Sequence, residues 1–208
     1  MMYENDKFWD RIASNYDKIE GNDIAYKIFL DKAKTYLKAD DTILDFGCGT
    51  GLICNELADN VGFINAIDLS TKMIGISKKK AFERNIKNID FELTNIFNEK
   101  FKEESFDAII AFNIFHLLDE PQKYFERIYQ LLKPNGLILA STPCMKDAPF
   151  INLILKFFSF IGVTPKLNSF SSSELEAMLL NASFNTVELS RIKSKSAQYF
   201  SIWQKNNK

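Results

Sequence analysis

Ile43-Leu44-Asp45-Phe46-Gly47-Cys48-Gly49-Thr50-Gly51-Leu52 decides the fold: an apolar run enters a glycine-rich turn and leaves it toward a helical stretch. The apolar run reads as a buried strand. Glycines at alternate positions remove the Cβ atoms that would block a tight turn and the close approach of a ligand, and a helix that follows presents unpaired N–H groups. A dinucleotide-binding loop spaces its glycines GxGxxG and sets pyrophosphate on the helix N-terminus. Here the spacing is Gly47-x-Gly49-x-Gly51, with Asp45 two residues ahead of it. An acid there suits a cationic amino-acid group better than a phosphate.

Outward from this loop the same rhythm repeats. Short apolar runs at 42–46, 63–67, 89–93, 106–112 and 137–140 read as strands, and amphipathic stretches at 52–59, 71–84 and 121–132 read as helices between them. The last of these opens with Pro121 in its first turn and stops before Pro134-Asn135-Gly136. Alternating strands and helices predict an α/β fold, a parallel sheet covered on both faces, with ligands bound beyond the carboxyl ends of the strands. Upstream, Phe8, Ile12, Tyr16 and Ile19, then Ile24, Ile28, Phe29, Ala33 and Leu37, recur at helical spacing and predict a helical cover over residues 1–40. Downstream, Ser171 and Glu174 have capping-box spacing for a helix through Leu180. Alternating stretches at 184–192 and 197–203 predict two final strands joined by Lys193-Ser194-Lys195-Ser196.

Composition narrows the function classes. A chain of 208 residues with 46% hydrophobic content is one domain's worth of sequence with a real core. Lys plus Arg number 26 against 27 for Asp plus Glu, so no global positive field draws in nucleic acid. The cations from Arg191 onward, Lys193, Lys195, Lys205 and Lys208 included, read as a solvated surface. Cys48, Cys54 and Cys144 are irregularly spaced, which argues against a disulfide framework or a metal centre and for a reducing, cytoplasmic setting. The first residues carry acids and no apolar run, unlike a secretory leader.

Asp68, 23 positions after Asp45 and at the end of the second strand, sits where a carboxylate can accept hydrogen bonds from both hydroxyls of a ribose. Capping of the next helix is the competing role, with Ser70 and Thr71 also suited to it.

With these residues in place, the chain resembles the class I S-adenosylmethionine-dependent methyltransferases (methyltransferase type 11 domain), in the small-molecule branch that includes ubiquinone and menaquinone methyltransferases. The resemblance rests on Phe8-Trp9-Asp10 with Tyr16-Asp17, Asp45 through Gly51, Asp68-Leu69-Ser70 with Met73, Phe106-Asp107, and Leu132-Lys133-Pro134-Asn135-Gly136. It implies a Rossmann-like, seven-stranded, mostly parallel sheet with helices on both faces and the last strand antiparallel. One domain would span 1–208: a helical cover (1–40), a cofactor-binding core (42–141), an acceptor lid (142–170), and a C-terminal helix and strand pair (171–208).

The resemblance also implies site roles. Gly47, Cys48, Gly49 and Gly51 would line the methionine part of S-adenosylmethionine, with Asp45 near its amino group. Asp68 would hold the ribose, and Leu69 and Met73 would pack on the adenine. Asn95 and Ile96 would meet the adenine amine, Asn95 standing where the family has an acid and accepting through its amide oxygen. Backbone groups of Phe112 and Asn113 would meet the methionine, and Tyr16 would close over the cofactor. His116, the single histidine, is the candidate general base, since imidazole titrates near neutrality, against the plainer role of a packed ring on a Phe- and Leu-rich segment.

The run at 149–161 is rich in Phe and Ile and follows the fifth strand on the cofactor rim, which predicts a lid for an apolar acceptor, or a contact with a membrane surface. The competing reading is core. Two other functions share the sheet: a nicotinamide-dependent oxidoreductase, which the glycine spacing disfavours, and a cofactor-binding protein without turnover.

Overall fold

The computed structural model describes residues 4–21, 23–160, 164–194 and 196–207. Ile161, at the end of the predicted insert, and Lys195, in the predicted last turn, lie outside the described residues. Two helices, α1 (Glu4–Glu20) and α2 (Ile24–Tyr36), precede the sheet, and Asp23 caps α2 by accepting from the Ala25 amide at 2.8 Å. The remaining elements are β1 (Thr42–Phe46), α3 (Cys54–Leu57), β2 (Phe63–Asp68), α4 (Thr71–Glu83), β3 (Ile89–Leu93), β4 (Phe106–Phe112), α5 (Pro121–Leu131), β5 (Leu132–Pro143), α6 (Pro149–Phe160), α7 (Ser172–Asn181), β6 (Phe184–Arg191) and β7 (Gln198–Lys205).

The seven strands form one sheet in the order β3-β2-β1-β4-β5-β7-β6. Every pair from β3 to β5 is parallel, and β7 runs antiparallel between β5 and β6. This is the Rossmann-like architecture anticipated above. Alternation along the central strands divides the core. Leu44, Ile109, Ala111 and Trp203 face the layer of α5 and α7, while Ile43, Ile110, Phe112 and Phe200 face the layer of α2 and α4. The chain order reverses between β1 and β4, so the crevice beyond β1, β2 and β4 is the place this fold leaves for a ligand.

Several boundaries differ from the sequence reading. The helix expected over 52–59 is only the four residues of α3 followed by a short 3-10 turn, because Gly51, at φ +76°, prolongs the turn to Ile53. β5 begins at Leu132 instead of 137, with a bulge: Leu132 pairs with Phe106 and Leu137 with Ala108, and the intervening Lys133–Gly136 stretch loops out through Asn135 at φ +64°. The capping box at α7 is present in full, with Ser171 Oγ accepting from the Glu174 amide and Glu174 Oε2 accepting from the Ser171 amide. Lys133 Nζ donates to both oxygens of Asp107 at 2.8 and 2.7 Å, and Asp107 also accepts from the Thr42 amide at 2.8 Å. The Phe106-Asp107 and Leu-Lys-Pro segments therefore clamp β1, β4 and β5 together at the opposite end of the strands from the crevice.

Candidate functional site

Gly47 and Gly49, at φ +75° and +53°, turn the chain out of β1 in backbone conformations that other residues rarely adopt. The amides of Gly47 and Cys48 both donate to the Ile67 carbonyl at 2.9 Å, locking the loop to the end of β2. Asp68 completes the link: its Oδ2 accepts from the Gly49 amide at 2.9 Å and its Oδ1 from the Ser70 amide at 2.8 Å. Two backbone donors thus orient the carboxylate, while Ser70 Oγ caps α4 by accepting from the Met73 amide at 3.1 Å. Asp68 is therefore not the helix cap; Ser70 is.

These residues open on a cavity of about 470 Å³, a volume typical of small-molecule and cofactor sites. Its wall carries Tyr16, Gly47, Gly49, Asp68, Leu69, Met73, Asn95, Phe112 and Asn113, all expected from the sequence. Five expected residues stand off that wall. Cys48, Gly51 and Ile96 pack behind it: a Cβ on Gly51 would lie 2.6 Å from Asn55 Nδ2, and Ile96 is wholly within the core. Asp45 is 2% exposed beneath the loop. Burial above all, with the Asp68 charge adding to it and the Cys54 thiol and amide pulling back, raises its pKa to about 7.

His116 is the fifth. Its ring is off the cavity wall, Nδ1 is buried without a hydrogen-bond partner, and burial lowers its pKa to about 4. Its carbonyl accepts from the Asn168 amide at 2.7 Å. The short turn Phe115–Leu117 thus brings Leu117 to the cavity wall and leaves the imidazole of the expected base off it.

The wall also holds residues that sequence reasoning did not assign to it. Trp9, from α1, meets Tyr16 edge-to-face at 6.1 Å between centroids. Tyr124, from α5, stacks on Phe46 at 5.9 Å and meets Phe97 at 5.0 Å, forming an aromatic floor. Ile114, Leu117 and Leu118 extend the apolar side, next to Asp119 and Lys166, whose charged groups lie 3.6 Å apart. Asp45 and Asp68, at the carboxyl ends of β1 and β2, marked the loop in the sequence, but nothing local in α5 marks Tyr124. Among the described residues of the segment 142–170, only Lys166, beyond α6, reaches the wall; α6 itself does not line the cavity.

α1 is tied across this site by its acids. Asp17 accepts from Lys80 Nζ at 2.7 Å and from Thr50 Oγ1, and Asp10 accepts from Ser70 Oγ and from the Lys72 amide at 3.1 Å. Glu20 Oε2 accepts from Asn113 Nδ2 at 3.1 Å, and its pKa is raised, chiefly by burial. Burial raises the Tyr16 hydroxyl's pKa as well, with the carboxylates of Glu20, Asp68, Asp17 and Asp45 adding to the shift. That side of the cavity therefore has a negative field, which suits a cation.

Comparison with known proteins agrees with this geometry. Residues 37–199 match the family model described as a methyltransferase domain. The chain is 27% identical over 198 residues to an arsenite methyltransferase of Halobacterium salinarum, covering 93% of this chain and 49% of that protein. It is 31% identical over 137 residues to the ubiquinone/menaquinone biosynthesis C-methyltransferase of Wigglesworthia glossinidia brevipalpis, covering 64% of this chain and 54% of that protein. The chain thus spans about half the length of these relatives. In fold it is similar to a chain of the complex between the Haloferax volcanii Trm112 methyltransferase activator and a methyltransferase, with a TM-score of 0.79 at 14% identity over 96% of this chain and 98% of that one. With a family model matched along most of its length and the corresponding sheet and glycine loop in place, the chain belongs to the methyltransferase domain family, with the class I S-adenosylmethionine-dependent architecture.

Proposed function

We propose that this chain binds S-adenosylmethionine in the cavity and transfers its methyl group to a small acceptor with an apolar body. The observation that carries the reading is Asp68, a carboxylate on the cavity wall whose oxygens are aimed by the Gly49 and Ser70 amides beside two positive-φ glycines. Such a group accepts from paired ribose hydroxyls. Leu69 and Met73 offer an apolar flank to the adenine, and Asn95 offers its amide, whose Oδ1 already accepts from the Phe97 amide at 2.9 Å and keeps a second lone pair. Gly47, Gly49, Phe112 and Asn113 take the methionine portion, with Tyr16 closing over it in a field of carboxylates.

The loop itself disfavours a dinucleotide. α3 starts only at Cys54 and buries Cys54 and Asn55, so the helix that follows the glycine loop does not present its N-terminus to the cavity for a pyrophosphate, and the Gly47 and Cys48 amides are already engaged by Ile67.

When bound, S-adenosylmethionine supplies an already activated methyl group. The protein's part is then to orient and to exclude water: Trp9 and Tyr16 cover one side, and Ile114, Leu117, Leu118 and Tyr124 form the apolar surface for the acceptor. Near-attack positioning contributes ~7–11 kcal/mol in favourable intramolecular cases; an acceptor whose reacting oxygen or sulfur bears a proton releases it to solvent, before or as the methyl group is transferred.

Calorimetry with S-adenosylmethionine, S-adenosylhomocysteine and NAD tests the binding half. Micromolar or tighter binding of the first two and none of NAD is expected; NAD binding as tight as theirs would overturn the reading. A screen of quinols, phenols, thiols and arsenite with methyl-labelled donor tests the transfer half.

A further inference from the structure

α6 sits on the body the reverse of the usual way for a surface helix. Asn152, Leu155 and Ser159 share the half-buried side of the helix, where Ser169 Oγ donates to Asn152 Oδ1 at 2.6 Å and Ser159 Oγ donates to the Pro165 carbonyl at 3.1 Å. The opposite side carries Phe150, Leu153, Phe157 and Phe160, which are 76, 67, 61 and 89% exposed. Amphipathic helices of globular proteins turn the apolar stripe inward; a contiguous exposed apolar face marks a contact surface.

Charge and area select what covers it. From residue 148 through 173 the sequence contains Lys156 and Lys166 and no Asp or Glu. Lys166 is paired with Asp119 at 3.6 Å, but Lys156, on α6 itself, is exposed and forms no ion pair among the described residues, so a face of Phe and Leu with a cation at its edge complements an anionic apolar surface. A second copy is a poorer match. A helix of 12 residues is about 18 Å long and about 10 Å wide. Its face thus offers on the order of a few hundred Å², against ~800 Å² per partner in a stable protein interface. Among the described residues no helix is long and apolar enough to cross a membrane, so α6 would lie in the plane of a bilayer and not span it.

We propose that α6 docks this protein on an anionic lipid surface, with Phe150, Leu153, Phe157 and Phe160 among the acyl chains and Lys156 at headgroup level. Lys166, on the segment leaving α6, lines the cavity. Docking therefore brings the cavity mouth toward a phase in which apolar acceptors concentrate. The proposal stands independently of the methyl-transfer reading.

Co-sedimentation of the full chain with phosphatidylcholine vesicles and with equimolar phosphatidylcholine–phosphatidylglycerol vesicles tests it. Binding to the anionic vesicles is expected, at least tenfold tighter than to neutral ones. It should fall at least tenfold in the double variant F157S/F160S and several-fold in K156E. Circular dichroism and S-adenosylhomocysteine titration should match the parent chain, since these side chains are exposed and off the cavity; F160S alone, at the most exposed position, serves if the double variant loses its fold. No binding to either vesicle, or binding indifferent to the Phe changes, overturns the proposal. So does sedimentation velocity showing a dimer that F157S/F160S dissolves in a chain that does not bind vesicles, which would make the occupant a second copy.

Discussion

The Gly49 amide donates to the Asp68 carboxylate at 2.9 Å across 19 residues of sequence, joining the glycine loop after β1 to the end of β2. The bond does two things at once. It holds the loop in its left-handed turn, and it fixes the direction of the one carboxylate at the β2 end that faces the cavity.

Replacing Asp68 by Ala removes both. S-adenosylhomocysteine affinity should fall at least tenfold, since a hydrogen bond to a charged group contributes ~1.5–3 kcal/mol, and the Gly49 amide loses its partner. Isothermal titration measures this. An unchanged affinity would place the ribose elsewhere.

The three loop glycines should differ under Ala substitution. At Gly49 the new Cβ meets Tyr16 Cε1 at 3.6 Å and Met73 Sδ at 4.0 Å, both ordinary contacts, so the cost is chiefly the left-handed backbone, about 1–2 kcal/mol. At Gly47 it would lie 2.8 Å from Ile114 Cδ1, and at Gly51 2.6 Å from Asn55 Nδ2 and 3.0 Å from Ser77 Cβ. Overpacking adds ~1–3 kcal/mol at those two positions. Urea denaturation should rank Gly49→Ala as the mildest, and Gly47→Ala should also weaken cofactor binding, because Ile114 is on the cavity wall.

Asp45 and His116 should oppose each other in pH dependence. The Asp45 carboxyl has its pKa raised from 3.8 to about 7. The folded state therefore holds a proton that the unfolded state has lost, and stability falls as pH rises through that window. The His116 pKa is lowered from 6.5 to about 4, so the unfolded state binds the extra proton and stability rises between those values. Asp45→Asn should uncover the rise and His116→Gln the fall, each read as stability against pH from 4 to 7 relative to the parent chain. His116→Gln should leave S-adenosylhomocysteine affinity unaltered. A loss there would return the ring to the site.

Asp17→Asn should loosen α1, which Asp17 ties to Lys80 and Thr50. The ion pair is partly exposed and modest in strength. Faster amide exchange in α1 with the central sheet unchanged, and affinity for S-adenosylhomocysteine several-fold weaker through Trp9 and Tyr16, is the expected pattern. Equal protection of α1 in both chains would show that packing alone holds it.

Sequence alone determined the features whose causes are local. The strand ends at Phe46 and Asp68 follow from apolar runs that stop at polar or glycine residues. The loop follows from three glycines that can adopt positive φ, and the start of α7 from a Ser and a Glu at capping distance. Tertiary structure decided what depends on partners far along the chain. β7 lies between β5 and β6, although it is made last, because its two faces complete both halves of the core. Tyr124 is on the cavity wall because α5 packs over Phe46, and the His116 ring stands off that wall because the turn after β4 sends Leu117 inward instead. α6 is helical by its own periodicity, but which side it turns to the body was set by where Ser169 and Pro165 offered hydrogen bonds to Asn152 and Ser159, and no pattern within the helix records that.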